Sequence, residues 1–194
     1  MILNIDGSEY ITIVSVNLDV SLPSYNERSQ AYLEYLMGLN PDVIMLRGVK
    51  DQLSISSVYS YGDVHFDEKL NKTRNATVIA PRLRSIASES LPLIGVTKDG
   101  SVKIASDCMI DVVMFNGHKI VLYNYESIKG PLFELQRNYV SNIIAKDSYR
   151  RRVKNHDYAN ASMILGADLH AEADYDSVRL LTGKSVRDGY YPSA

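Results

Sequence analysis

The sequence has one cysteine, Cys108, and no tryptophan in 194 residues. A lone cysteine excludes an intrachain disulfide framework, and with it goes the expectation of a reducing, intracellular and cytoplasmic setting. No apolar run approaches the roughly 18–20 residues that a membrane-spanning helix needs, so no membrane partner is expected. The opening residues, Met1-Ile2-Leu3-Asn4-Ile5-Asp6, lack the basic stretch followed by an apolar one that marks a secretory signal. Charge of one sign is not in excess either: 21 Lys and Arg stand against 23 Asp and Glu. That balance excludes a uniformly basic nucleic-acid binder and leaves room only for a local patch. Neither a phosphate-cradling glycine loop nor a local Ser/His/Asp or Cys/His nucleophile arrangement is present. What remains is an ordinary globular composition, 45% hydrophobic, which suits one domain over residues 1–194.

Short β-branched runs alternate with stretches of helical period, the pattern of an α/β fold. Tyr10–Leu18 alternates Ile11 and Ile13 with polar neighbours and reads as a strand ending near Asn17. Ser24 or Asn26 can cap a helix over Glu27–Met37, with Leu33, Leu36 and Met37 on one stripe and Gly38 as its stop. Asp42–Val49 is a continuous apolar run, as expected of a strand covered on both faces. Ser54–Tyr61 reads as a strand, Gly62–Asn75 as a polar loop and Ala76–Ala80 as a strand closed by Pro81. Ile94–Thr97 and Val102–Ala105 flank a Lys98-Asp99-Gly100 turn. Asn116-Gly117, between Cys108–Phe115 and Lys119–Tyr125, is a strong hairpin signal. Leu132–Lys146 has helical period, Arg150–Asp157 reads as a basic connection, and Ser162–Leu165 opens a last strand before a short helix over Tyr175–Leu181.

Several of these segments, taken in order, resemble the endonuclease/exonuclease/phosphatase (DNase I-like) superfamily. Ser15-Val16-Asn17-Leu18 resembles its first strand. Arg28 followed by Asn40-Pro41-Asp42-Val43-Ile44 is similar to its "R … nPDvi.LQE" stretch, and Asn75–Ala80 to "G-v-a-i-l". Ile120–Tyr125 resembles the strand carrying "v-N-t-H-L", and Arg137 matches an Arg of the second long helix. Ile164–Ala171 (ILGADLHA) resembles "v-l-a-G-D-F-N-a", with Arg187-Asp188 as the later "l-x-D". The resemblance implies a two-sheet β-sandwich flanked by helices, here lacking the last strands. It also implies phosphodiester or phosphomonoester hydrolysis with a divalent metal.

The departures from that pattern fall on the chemistry. The metal-holding Glu of "LQE" is Gly48, and Arg47 beside it supplies no anionic oxygen. The His of "N-t-H-L" falls on Tyr125, which does not give up a proton readily near pH 7. The Asp-x-Asn pair becomes Asp168-x-His170, and nothing after Asp188 supplies the terminal Ser-Asp-His element. Asn17, Asp168 and His170 are therefore the remnant site candidates, with no metal or other cofactor expected. The reading is a catalytically degenerate domain that acts as a binding or assembly module with a protein partner or with its own copies. The alternative is a Mg²⁺-dependent phosphodiesterase or nuclease rebuilt around Asn17, Asp168 and His170. Arg150, Arg151, Arg152 and Lys154 are the densest positive charge and the candidate contact for nucleic acid or an acidic partner. Acidic residues near Asp168 suit the start of a short helix as well as they suit a cation.

Overall fold

The computed structural model describes residues 2–5, 9–19, 21–51, 53–67, 74–96, 102–127, 134–171 and 175–181. A short strand β1 (Ile2–Ile5) turns back antiparallel onto β2 (Glu9–Asn17). Helix α1 (Tyr25–Gly38) then crosses to β3 (Val43–Val49), which pairs parallel with β2. Strands β4 (Asp63–Phe66) and β5 (Arg74–Ile79) add antiparallel neighbours, giving a five-stranded sheet in the order β1-β2-β3-β5-β4. The second sheet is β6 (Arg84–Val96), β7 (Val102–Phe115), β8 (His118–Glu126) and β9 (Ser162–Asp168), in that order. Within it β8 and β9 are parallel, joined through helix α2 (Glu134–Lys154), and α3 (Asp176–Leu181) follows β9.

Side-chain alternation along the strands builds three apolar layers. Val43 and Met45 of β3 face the second sheet and meet Ile11, Ile13, Val113, Ile120, Leu122 and Ile164. Ile44 and Leu46, on the opposite face, pack under α1 with Leu33, Leu36 and Val58. Val121, Tyr123 and Tyr125 of β8 point the other way, under α2, against Val140 and Ile144. The result is a helix–sheet–sheet–helix sandwich, as expected from the sequence. Every residue of β3 is buried, which explains the apolar run Val43–Leu46; Arg47, also buried, interrupts it.

Several local expectations are corrected. Leu53–Ser60 is 3-10 helical with a kink at Ile55 rather than a strand, and Ile55 and Val58 are buried. The polar stretch after Gly62 contains strand β4, whose partner is β5. Helix α2 runs on to Lys154, so the basic residues lie on a helix and not on a connection. Gly38 closes α1 without a left-handed backbone; Asn40, at φ 51°, makes the reversal instead. Ser24 precedes α1 but makes no side-chain cap. The Asn116-Gly117 hairpin stands as expected, with both residues at positive φ. The Lys98-Asp99-Gly100 turn and Arg187-Asp188 lie outside the described residues.

Candidate functional site

The layer between the sheets changes character towards the ends of the parallel strands. The residues that continue its face are Ser15 and Asn17 of β2, Arg47 of β3, Asn124 and Glu126 of β8, and Gly166 and Asp168 of β9. Asn17 lies opposite Arg47 in one sheet, and Glu126 lies opposite Asp168 in the other. An apolar inter-sheet core thus ends in a polar cluster, beside an open cleft of about 560 Å³ lined by Asn17, Arg47, Asp168, His170 and Val178 among others.

Asn17 is the hub. Its Nδ2 donates to Asp168 Oδ2 at 2.7 Å and to Glu126 Oε1 at 3.3 Å, joining the sheets. Its Oδ1 is already used, accepting the Asp19 N–H at 3.0 Å. The loop carrying Asp19 is held by Arg28, which donates to the Leu18 and Asp19 carbonyls at 2.9 Å. His170, with φ 45°, turns back over the carboxylates: Nδ1 lies 3.2 Å from Asp168 Oδ1 and Nε2 lies 3.5 Å from Glu126 Oε1. Burial pushes the Asp168 carboxyl up, but hydrogen bonds from Asn17 and the His170 N–H, with the charges of His170 and Arg47, hold it below the usual carboxylate range.

Arg47 lies under this cluster, only 3% exposed. Its Nη1 donates to Ser15 Oγ at 2.9 Å and to Asn124 Oδ1 at 3.4 Å, while its buried Nε has no hydrogen-bond partner. Asn124 is fixed in turn by donating to the carbonyls of Leu46 and Ala76 at 3.2 and 2.9 Å. Burial lowers the pKa of Arg47, opposed by the negative charges of Asp168 and Glu126. A guanidinium remains charged in any case.

Gly48 follows at a bulge, where the β3–β5 register shifts between Leu46 and Val49. Its φ is +68°, and a Cβ there would lie 2.9 Å from Asn17 Oδ1. The buried Tyr25 hydroxyl pins this bulge by donating to the Gly48 carbonyl at 2.8 Å and accepting the Lys50 N–H at 3.0 Å.

The structure thus brings Asn17, Gly48, Asp168 and His170 together but leaves Tyr125 out. Tyr125 is buried in the layer under α2, and its neighbours Asn124 and Glu126 reach the cluster. The period-two rule applied to Ile120 and Leu122 leads to Asn124 and Glu126, and that signal was available in the sequence. Arg47 and Ser15 follow the same rule. Among the described residues, no three His, Cys, Asp or Glu side chains are grouped as a metal site.

The basic run of α2 does not form one patch. Arg151 is bound to Glu89 at 2.6 Å and Asp147 at 2.7 Å. Arg150, Arg152 and Lys154 are exposed. At about 100° per residue, Arg152 falls on the side of the helix away from Arg150 and Lys154. It lines a groove of about 530 Å³ with Tyr149, Val153, Met163 and Leu165. No described helix is long and apolar enough to cross a membrane.

Two mixed sheets packed face to face, each with a parallel pair joined through a helix, make up the DNase I-like fold. Solved structures share it at low sequence identity. TDP2 from Caenorhabditis elegans superposes with a TM-score of 0.72 at 17% identity, over 92% of this chain and 51% of that one. The human Nocturnin catalytic domain with bound sulfate gives 0.68 at 14%, over 87% and 67%. An endonuclease/exonuclease/phosphatase from Bacteroides vulgatus gives 0.68 at 9%, over 90% and 71%. The chain therefore spans about half the length of the Caenorhabditis protein. No protein-family model and no curated protein matches the sequence.

Proposed function

We propose that this chain is a catalytically degenerate DNase I-like domain that works by binding rather than by hydrolysis. The observation that supports this most is the end of β3. Where the superfamily pattern calls for a metal-holding carboxylate, Gly48 has a left-handed backbone, and a Cβ there would press on Asn17 Oδ1 at 2.9 Å. Asn17 turns its NH₂, a donor, towards Asp168 and Glu126, and its oxygen is spent on Asp19. A hard cation needs oxygen ligands. Asp168 and Glu126 carry such oxygens, but both accept from Asn17 Nδ2 and face His170, and position 48 adds no further carboxylate. The set is poorer in free oxygen ligands than the superfamily pattern. The position read as the histidine of "N-t-H-L" is filled at the cluster by Glu126, which removes a second group suited to proton transfer near pH 7.

The partner class this reading favours is protein, with self-association the first case to test. Strand β9 has a strand neighbour on one side among the described residues, and an unpaired edge invites pairing. Nucleic acid is the less favoured partner, because the arginines and lysine of α2 are divided around the helix. Light scattering over a concentration series expects oligomers. A monomer at every concentration, with salt-dependent DNA or RNA binding lost on changing Arg150 and Arg152 to Ala, favours nucleic acid instead.

One observation supports a second reading, a metal-dependent phosphodiesterase or nuclease rebuilt around Asn17, Asp168 and His170. His170 stands 3.2 Å from Asp168 at an open cleft, and an imidazole beside a carboxylate has the make-up of a general base. Labelled single- and double-stranded DNA and RNA, incubated with Mg²⁺ or Mn²⁺, separate the two. Turnover that disappears in Asp168→Ala supports the second reading. No turnover above a chelator control supports the first.

A further inference from the structure

We infer that the groove beside α2, together with the open edge of β9, is a twofold interface between two copies of this chain. The inference rests on the non-hydrolytic reading above and gives its self-association a place and a symmetry.

The groove of about 530 Å³ touches Met163, Ile164 and Leu165, successive residues of β9. Met163 and Leu165 pack under α2, whereas Ile164 faces the layer between the sheets. A groove that reaches all of them runs along the edge of the strand. Strand β8 holds the other edge, in register from Ser162 to Asp168, and no described strand lies beyond β9. The outward N–H and C=O groups of such an edge are a template for another chain. Helix α2 supplies the wall. Ser148, Tyr149, Arg152 and Val153 recur as adjacent pairs four residues apart, so they form one stripe along the groove. Tyr149 is 64% and Val153 58% exposed, which leaves most of two large side chains in water. Arg152 is also exposed and has no ion pair among the described residues, unlike Arg151, which is bound to Glu89 and Asp147.

An occupant of this surface must offer backbone groups to a strand edge and apolar side chains to a helix, which a polypeptide does and a nucleic acid does not. A second copy fits because the surface complements itself. Antiparallel pairing of β9 with β9 of the other copy continues one sheet into the next. It also sets the two α2 stripes on the same face of that sheet, running in opposite directions. With the axis through the middle of the stripe, each Arg152 faces Tyr149 of the other copy, a guanidinium against an aromatic ring. The chain already uses this contact internally, with the Arg151 guanidinium 5.9 Å from the centre of the Tyr158 ring. The described lining residues include no carboxylate, so the aromatic face is the complement the surface itself supplies to Arg152. The same patch serves both copies, and the contact closes at two chains.

Light scattering of the full chain over a concentration series, with hydrogen exchange read at the amides from Ser162 to Leu165, tests this without reference to turnover. The expected result is a monomer–dimer equilibrium, with those amides exchanging more slowly as the dimer forms. Tyr149→Glu and Arg152→Glu change exposed side chains, so the fold is kept, and each should weaken dimerisation by about tenfold or more. Arg152→Lys, which retains a cation for the ring, should weaken it by no more than about threefold. Tyr35→Glu, at a 63% exposed position on α1, should leave it unchanged. A monomer at every concentration overturns the inference, as do assemblies that grow beyond two chains or a dimer indifferent to the Tyr149 and Arg152 changes. Slow exchange of the β9 amides in the monomer overturns it too and assigns the edge to the chain's own residues. None of these failures touches the non-hydrolytic reading, which stands or falls on phosphodiester cleavage.

Discussion

Replacing His65 with Leu isolates an ion pair that spans the two sheets. His65 lies on β4 at the edge of the first sheet, and its Nδ1 is 2.7 Å from Oδ1 of Asp111, at the middle of β7 in the second. Asp111 is 0% exposed, and its other oxygen has no hydrogen-bond partner. Asp111 therefore depends on His65, and removing the imidazole strands a buried charge. Breaking a buried pair from one side costs about 3–5 kcal/mol. For a chain of this size that is roughly 2–4 °C in Tm per kcal/mol. The double variant His65→Leu/Asp111→Leu, which removes both polar groups, should recover most of the loss. The pair also sets a pH signature. The hydrogen bond to Asp111 raises the His65 pKa; burial opposes this, and the charges of Asp111 and Asp63 add to it. A raised folded value means that the contribution is complete below the unfolded pKa of about 6.5 and is lost as pH climbs through the folded value. Urea unfolding between pH 5 and 9 should show stability declining above pH 6.5 in the parent and no such decline in the double variant. A single-variant loss below about 1 kcal/mol, or identical pH profiles, refutes the reasoning.

Gly166→Val places a side chain where a Cβ alone would lie 2.6 Å from Met45 Sδ and 2.9 Å from Ser15 Oγ, so the Met45 and Ser15 side chains must repack between the sheets. The expected cost is about 1–3 kcal/mol or more by chemical denaturation. Tyr25→Phe removes both hydrogen bonds that hold the Gly48 bulge and should cost about 1–3 kcal/mol while keeping the fold's circular dichroism. The Asp168 carboxyl is held below its unfolded value, so its contribution is present above about pH 3.9 and is lost as pH falls through the folded pKa. Asp168→Asn should therefore flatten the acid limb of a stability–pH profile below pH 4, and an unchanged limb contradicts the assignment.

The parts of the fold that were legible are those in which one local signal matched the tertiary environment. Val43–Leu46 is apolar throughout because it is covered on both faces, and Asn116-Gly117 supplies the positive φ values that a tight hairpin needs. Leu53–Ser60 misled because Ile55 and Val58 sit among serines in a short window, where a spacing of three is hard to tell from strand alternation. The end of α2 was hidden by its polarity: Arg150–Lys154 is composed of good helix formers, but few of them face the core. At the site, Asn17, Asp168 and the loss at Gly48 were readable from the superfamily resemblance. Motif spacing alone points to Tyr125, whereas the alternation carried forward from Ile120 and Leu122 points to Glu126. In the sequence Arg47 reads only as a poor ligand. Its burial, and its hydrogen bonds to Ser15 and to Asn124 of the other sheet, depend on long-range packing that a linear pattern does not reveal.

The most direct test of the central claim is phosphodiester turnover by the purified full chain. Labelled single-stranded DNA, double-stranded DNA and RNA should each be incubated with Mg²⁺ and with Mn²⁺, beside a chelator control and an Asp168→Ala variant. The account predicts cleavage indistinguishable from the chelator control in every arm. Metal-dependent cleavage by the parent chain that vanishes in Asp168→Ala would contradict it.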